Sequence, residues 1–188
     1  LDAVFSSAAH VVAGNSWLAQ AVEANVPVTV IPTCIDTQQY HPREGGRKNQ
    51  RTRIGWIGTG SNLRYLRQLV EPLAKLRSLG FVFEFVICSD VENAGLFKSL
   101  GARFEKWSAG GELSFLQSLD VGLMPLARDD WCRGKCSFKM IQYMAVGCPA
   151  VGSDICMNID VLRGDVGGGH LIRQGNWVDP LAEPLESE

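Results

Sequence analysis

No stretch of this 188-residue chain is apolar for anything near the 18 or more residues that cross a bilayer as a helix, so no membrane-spanning helix is expected. Charge of one sign is not in surplus either. The 18 Lys and Arg stand against 20 Asp and Glu, a net charge of −2, which lacks the broad basic footprint of a nucleic-acid binder, so nucleic acid is not an expected partner. The opening stretch from Leu1 to His10 has no basic segment ahead of its apolar residues and does not read as a signal peptide. There is no initial Met, which fits a fragment of a longer chain. Cys34, Cys88, Cys132, Cys136, Cys148 and Cys156 show no C-x-x-C spacing and the three His are scattered, so no metal site is expected. Most of these Cys lie in apolar or strand-like contexts, and reduced thiols with a cytoplasmic location are the expectation.

What is present is enough for one domain: 46% hydrophobic and 20% charged residues can bury a core. From residue 52 onward, strand and helix patterns alternate. Strands are expected at 53–57, 81–88, 103–106, 121–124, 150–152 and 170–172. Helices are expected at 94–100, 112–119 and 137–146, with a turn of helix at 159–162. A terminal helix opens at Trp177 and is cut off by the acidic run 183–188. Leucines at 63, 66, 69, 73, 76 and 79 give residues 63–79 a helical face, with a kink near Glu71 imposed by Pro72. Such alternation with right-handed crossovers implies an α/β fold: a doubly wound, parallel, Rossmann-like sheet of about six strands with helices on both faces. In the 3-2-1-4-5-6 order, strand 53–57 is central. Its ligand belongs beyond the strand ends at the switch point, between loops 58–62 and 126–136. Residues 1–43 read differently, as short apolar runs, a helix at 15–24 and a buried strand at 28–31 with no sheet of their own. The apolar-free run 43–51, with two Gly, reads as a flexible linker or a surface hairpin.

The helix at 137–146 is stopped by Gly147, and Pro149 forbids its continuation. Phe138, Met140, Ile141, Met144 and Ala145 make most of its circumference apolar, while Lys135, Lys139 and Gln142 fall in one interrupting stripe. Lysines beside the free N–H groups and positive dipole end of a helix suit an anion; lysines on a half-exposed helix in water are the alternative. Gly58 and Gly60 after the first strand are half of a dinucleotide fingerprint. The third glycine position holds Leu63 and Asp90 lies past the second strand's end, which argues against NAD. The same glycines permit close approach of a phosphate, or a plain tight turn. The loop 128–135 concentrates opposite charges around Trp131, and within it and the helix Arg133, Lys135 and Lys139 are the candidate cations. Trp56, Phe104 and Phe138 read as core. Asp154 and Asn158 stand where they face the ligand or cap the next helix.

These stretches also resemble a known family. The run Lys139-x-x-Gln142-Tyr143-Met144-Ala145-x-Gly147-x-Pro149-x-Val151 is similar to the donor-binding helix of the group 1 glycosyltransferases, retaining enzymes built from two Rossmann-like domains. Agreement continues, in order, in the stretches from Val26 to Asp36, Ile54 to Gly60 and Leu119 to Leu126. The resemblance implies a C-terminal donor domain over residues 44–188, with residues 1–43 the tail of an N-terminal acceptor domain that completes the enzyme and makes any membrane contact. It implies a nucleoside-diphosphate sugar as donor substrate and partner, with no further cofactor and no metal. Its diphosphate would lie on Gly58, Thr59, Gly60, Arg133, Lys135 and Lys139, its ribose at Gln142 and its base at Trp107. One feature of the family departs. Its pair of glutamates, eight positions apart, matches Gly134 and Gln142, and an uncharged Gln142 still hydrogen-bonds a diol. A non-catalytic sugar-nucleotide or interaction module would fit that loss, and an unrelated Rossmann-type nucleotide binder is a third alternative. Residues 1–188 alone are not expected to transfer sugar.

Overall fold

The computed structural model of the chain describes residues 2–23, 25–45, 51–162, 168–173 and 175–186. At the N-terminus, α1 (Asp2–Ser6), β1 (Val11–Ala13), α2 (Ser16–Gln20) and β2 (Val28–Val30) follow one another. β1 and β2 pair in parallel, Val11 opposite Val28. Two strands have no second layer to bury them, and the strand expected to be buried is not: Val30 and Ile31 are 42% and 56% exposed. α2 is capped as its sequence suggests, the Asn15 side chain accepting from the Leu18 N–H at 2.8 Å. It ends at Gln20, short of the expected Ala24, which lies outside the described residues; no residue of α2 is buried, so no packing holds a further turn. Of the expected linker 43–51, residues 46–50 also lie outside the description.

The main sheet contains β3 (Thr52–Ile57), β4 (Phe83–Ser89), β5 (Ala102–Lys106), β6 (Val121–Met124), β7 (Ala150–Ser153) and β8 (Gly169–Ile172). Its strands are parallel in the order β5-β4-β3-β6-β7-β8, with β3 central. Burial on both faces explains the near-continuous apolar runs, β6 being buried along its whole length. Helices α3 (Val70–Ser78), α4 (Ala94–Leu100), α5 (Glu112–Gln117), α6 (Asp130–Arg133), α7 (Phe138–Ala145), α8 (Met157–Val161) and α9 (Val178–Glu186) complete the units. One core layer joins Ile54, Phe85 and Leu123 to Leu73, Phe97 and Leu181, from α3, α4 and α9. The other joins Ile57, Val86 and Met124 to Phe115 and Tyr143, from α5 and α7. α9 reaches Glu186 with Pro184 inside it, so the acidic run does not cut it off as expected.

The leucine-rich segment is not one kinked α-helix. Gly60–Leu69 winds as a 3-10 helix, and α3 starts at Val70. Leu63, Leu66 and Leu69 are spaced by three, the 3-10 period, and all three are buried. Pro72 then sits in the first turn of α3, where its missing N–H removes no bond.

The close approach of α7 to the sheet depends on glycine. A Cβ on Gly122 of β6 would stand 2.3 Å from the Tyr143 ring, so only glycine leaves room for it. The Tyr143 hydroxyl donates to the Leu123 carbonyl at 3.3 Å and accepts from the Ile57 N–H at 3.2 Å, tying α7 to β6 and β3. Gly147 ends the helix at φ 74°, its N–H bonding the Met144 carbonyl while the Cys148 N–H bonds that of Tyr143. That is the paired arrangement of a left-handed glycine stop. Phe138, read as core, is 42% exposed. It is the first residue of α7, ahead of the turn that carries Met140 and Tyr143 into the core.

Candidate functional site

The crevice at the ends of β3 and β6 is closed by side chains from three elements. Gly58 has no space for a side chain: a Cβ there would lie 2.5 Å from the Trp56 ring and 2.8 Å from Lys139 Cε. Lys139 therefore lies along the backbone of the first loop. It makes no hydrogen bond or ion pair among the described residues, and burial, then the charge of Lys135, holds its ammonium below the ordinary lysine range. Lys135 Nζ donates to Asn62 Oδ1 at 2.7 Å, joining the two loops, and stands 5.5 Å from the centre of the Tyr65 ring. Burial likewise lowers its pKa. Arg64 lies 4.8 Å from the same ring centre and donates to the Tyr65 hydroxyl at 2.7 Å. Two cations, Arg64 and Lys135, thus gather around one aromatic ring, and attraction between each charge and the ring offsets part of their mutual repulsion.

Lys135 and Lys139 line, with Trp56, Asn62, Tyr65 and Leu126, a cleft of about 10 Å³, which is at most room for one water. The cleft itself is too small for a phosphate, so an anion held by both lysines would have to sit at its mouth. The cations are fixed by a scaffold: Asp129 caps α6 by accepting from the Cys132 N–H at 2.7 Å, and that backbone bond chiefly lowers its pKa. At the start of α7, Ser137 adopts φ 55°, and its hydroxyl, rather than capping the helix, donates to Asn158 Oδ1 at 2.6 Å. The Asn158 amide donates in turn to the Ser153 carbonyl at 2.9 Å. Asn158 thus supports the helix start, and Asp154 pairs with Arg128 at 2.6 Å.

Not every candidate comes to this point. The Gly60 N–H donates to Asp90 Oδ1 at 2.6 Å, so a carboxylate already holds it, and this bond lowers the Asp90 pKa. Thr59 Oγ1 accepts from Asn62 Nδ2 at 2.8 Å and stays within the loop. Arg133, at the end of α6, is 3.7 Å from Asp130 and does not line the cleft.

Gln142 and Trp107 are brought together by a residue the sequence did not single out. Glu112, opening α5, accepts from Gln142 Nε2 at 2.8 Å, from Trp107 Nε1 at 2.7 Å and from the Tyr40 hydroxyl at 2.6 Å. Gln142 is buried and Trp107 is 41% exposed. Burial, then the bond to Glu112, raises the Tyr40 pKa. In sequence Glu112 looked like an ordinary first-turn acid, and only its distance of five residues from Trp107 pointed to it. Arg64 was hidden in the same way, as a polar position on a leucine-rich helix. No cluster of three or more His, Cys, Asp or Glu among the described residues is placed to hold a metal ion. Burial pushes the Cys88 thiol up to about 12.

No protein-family model matches the chain, and no curated protein matches it by sequence. Solved structures do. HepE from Anabaena, crystallised with UDP-glucose, matches 99% of this chain over 56% of its own length, with a TM-score of 0.73 and 14% identity. TarM matches 98% of this chain over 38% of its own, at 0.71 and 12%. The C-terminal domain of a group 1 glycosyl transferase family protein, LpcC from Francisella tularensis, matches 82% of this chain over 89% of its own, at 0.60 and 16%. The fold is one that glycosyltransferases use. The chain spans about half or less of the length of HepE and TarM, and most of the LpcC domain.

Proposed function

We propose that the chain is the donor-binding, C-terminal part of a group 1 glycosyltransferase, holding a nucleoside-diphosphate sugar at the ends of β3 and β6. The observation that carries this reading is Lys139: a partly buried cation with no hydrogen-bond or ion-pair partner among the described residues, beside Lys135 and at the start of a helix whose N-cap side chain bonds none of the first-turn N–H groups. Such a group gains most from a bound anion, since charge-assisted bonds in a dry site are strong. The fold shared with HepE, crystallised with UDP-glucose, supports the same ligand class.

As the bond from sugar to diphosphate breaks, negative charge grows on the leaving nucleoside diphosphate. Lys135 and Lys139, with Arg64 nearby, stabilise that charge where water is largely excluded, and the reading needs no metal. On the same reading, Trp107 seats the base, Gln142 and Glu112 stand beside the ribose, and the enzyme works in the cytoplasm as a hexosyltransferase. Residues 1–43 end an acceptor domain lying outside the chain. A second reading, a binding module without catalysis, is favoured by one observation: the Gln142 amide is spent on Glu112 and Tyr40 inside the fold.

Thermal unfolding with UDP, GDP, ADP and dTDP tests the ligand class. One of the four at 100 times its dissociation constant should stabilise the chain by about 2.7 kcal/mol. No shift with any of them removes the donor reading.

A further inference from the structure

A second cavity, of about 290 Å³, opens beyond the ends of β6, β7 and β8. Its apolar wall is made by Leu126, Ile155, Ile172 and Trp177, all buried. Its rim carries Gln68, from the 3-10 helix, with Arg128 and Asp154 from the loops after β6 and β7. Leu126 borders both this cavity and the cationic cleft, but none of the three rim residues lines the cleft. The wall is fixed by backbone bonds. The Ser153 hydroxyl accepts from the Leu126 N–H at 2.9 Å and donates to the Leu126 carbonyl at 3.1 Å, joining the two loops. The Asp154 N–H donates to the Ile172 carbonyl at 3.2 Å and fastens the second loop to β8. Polar capacity is left over at the rim. Arg128 Nη2 donates to Asp154 Oδ1 at 2.6 Å, while Arg128 Nε and Nη1 and Asp154 Oδ2 make no hydrogen bond or ion pair among the described residues. Gln68 Nε2 donates to the Tyr65 carbonyl at 2.9 Å, and Gln68 Oε1 likewise has no partner among the described residues.

We infer that this cavity takes one neutral sugar ring, held through a pair of neighbouring hydroxyls and separate from the nucleotide crevice. A space just below the roughly 300–1,000 Å³ of small-molecule sites suits a single ring. One hydroxyl donates to Asp154 Oδ2 while its neighbour accepts from Arg128, and both bonds are charge-assisted. Gln68 Oε1 accepts from a third hydroxyl, and the C–H face of the ring lies on the apolar wall. The Arg128–Asp154 pair stays closed throughout. An amino acid would have to open that pair to use both its charges, a simple anion would meet the Asp154 carboxylate, and a simple cation would meet Arg128. The inference stands whether or not the crevice between β3 and β6 holds a nucleotide.

The test is a titration followed by two-dimensional NMR, reading the Gln68 side-chain amide and the Trp177 indole N–H. The probes are methyl α-glucoside, methyl α-mannoside and maltose, with leucine and cyclohexylmethanol, a ring without neighbouring hydroxyls, beside them. At least one sugar should shift both signals saturably, and cyclohexylmethanol should not. Asp154→Asn and Arg128→Ala should each weaken that sugar fivefold or more. The Arg128 side chain is 69% exposed and Asn has the shape of Asp, so both variants should fold. Tighter binding of maltose than of methyl α-glucoside assigns the site to a glycan chain and equal binding to a free sugar; either upholds it. The inference is overturned by no saturable shift with any sugar, by equal affinity in wild type and both variants, by leucine binding more tightly than every sugar, or by UDP displacing the sugar. Failure of every nucleoside diphosphate to bind removes the donor reading and leaves this one standing.

Discussion

Lys139 holds its charge where the fold disfavours it, and the Glu112 carboxylate offsets this only in part. Burial and the neighbouring Lys135 lower its pKa from the ordinary 10.5. Between that lowered value and 10.5 the unfolded chain keeps a proton that the folded chain has shed, so stability rises with pH across this window. Below the window the folded protein bears the full penalty. Lys139→Met keeps the stem and removes the charge, and should be more stable than wild type at pH 7, with the difference shrinking at pH 10. Urea denaturation at the two pH values measures it; a variant less stable than wild type at pH 7, or a difference independent of pH, would show that the ammonium is well accommodated. The two lysines were legible in the sequence because their spacing along a short, well-terminated helix was clear. The partners of Gln142 were not. Glu112 and Tyr40 lie 30 and 102 positions away, and no local pattern reports a convergence made by the fold.

At the scale of elements, the strands were readable within a residue or two because the inner strands β4 and β6 are largely buried on both faces and mostly apolar, while the edge strand β5 is short and partly exposed. The leucine-rich helix was misread because a spacing of three fits either helix type over a short span, and only the tight packing of Leu63, Leu66 and Leu69 selects the 3-10 winding. The corrected position of Pro72 has a measurable consequence. A proline kinking the interior of one long helix would destabilise it by about 3 kcal/mol, so Pro72→Ala would stabilise the protein. In the first turn of α3 it breaks no bond and restrains the unfolded chain. Pro72→Ala should then lose about 0.4–1 kcal/mol in denaturant unfolding, and a gain would restore the kinked-helix account. α2 and β2 were misjudged because propensity and pattern were present without anything to bury them.

For the molecule as a whole, the strand order and the switch point followed from alternation and handedness, and the structure has both. The six-stranded sheet brings loops 58–62 and 125–137 together and gathers Arg64, Lys135 and Lys139 between them, with Gln142 and its partner Glu112 one turn further along α7. The central claim is that this cationic crevice holds a nucleoside diphosphate. Calorimetric titration of wild type and Lys139→Ala, each with the best-binding nucleoside diphosphate and with its bare nucleoside, tests it most directly. A charge-assisted contact of about 1.5–3 kcal/mol predicts that Lys139→Ala weakens the diphosphate by roughly tenfold or more and the nucleoside hardly at all. Equal diphosphate affinity in wild type and Lys139→Ala would contradict the account and leave α7 as packing alone.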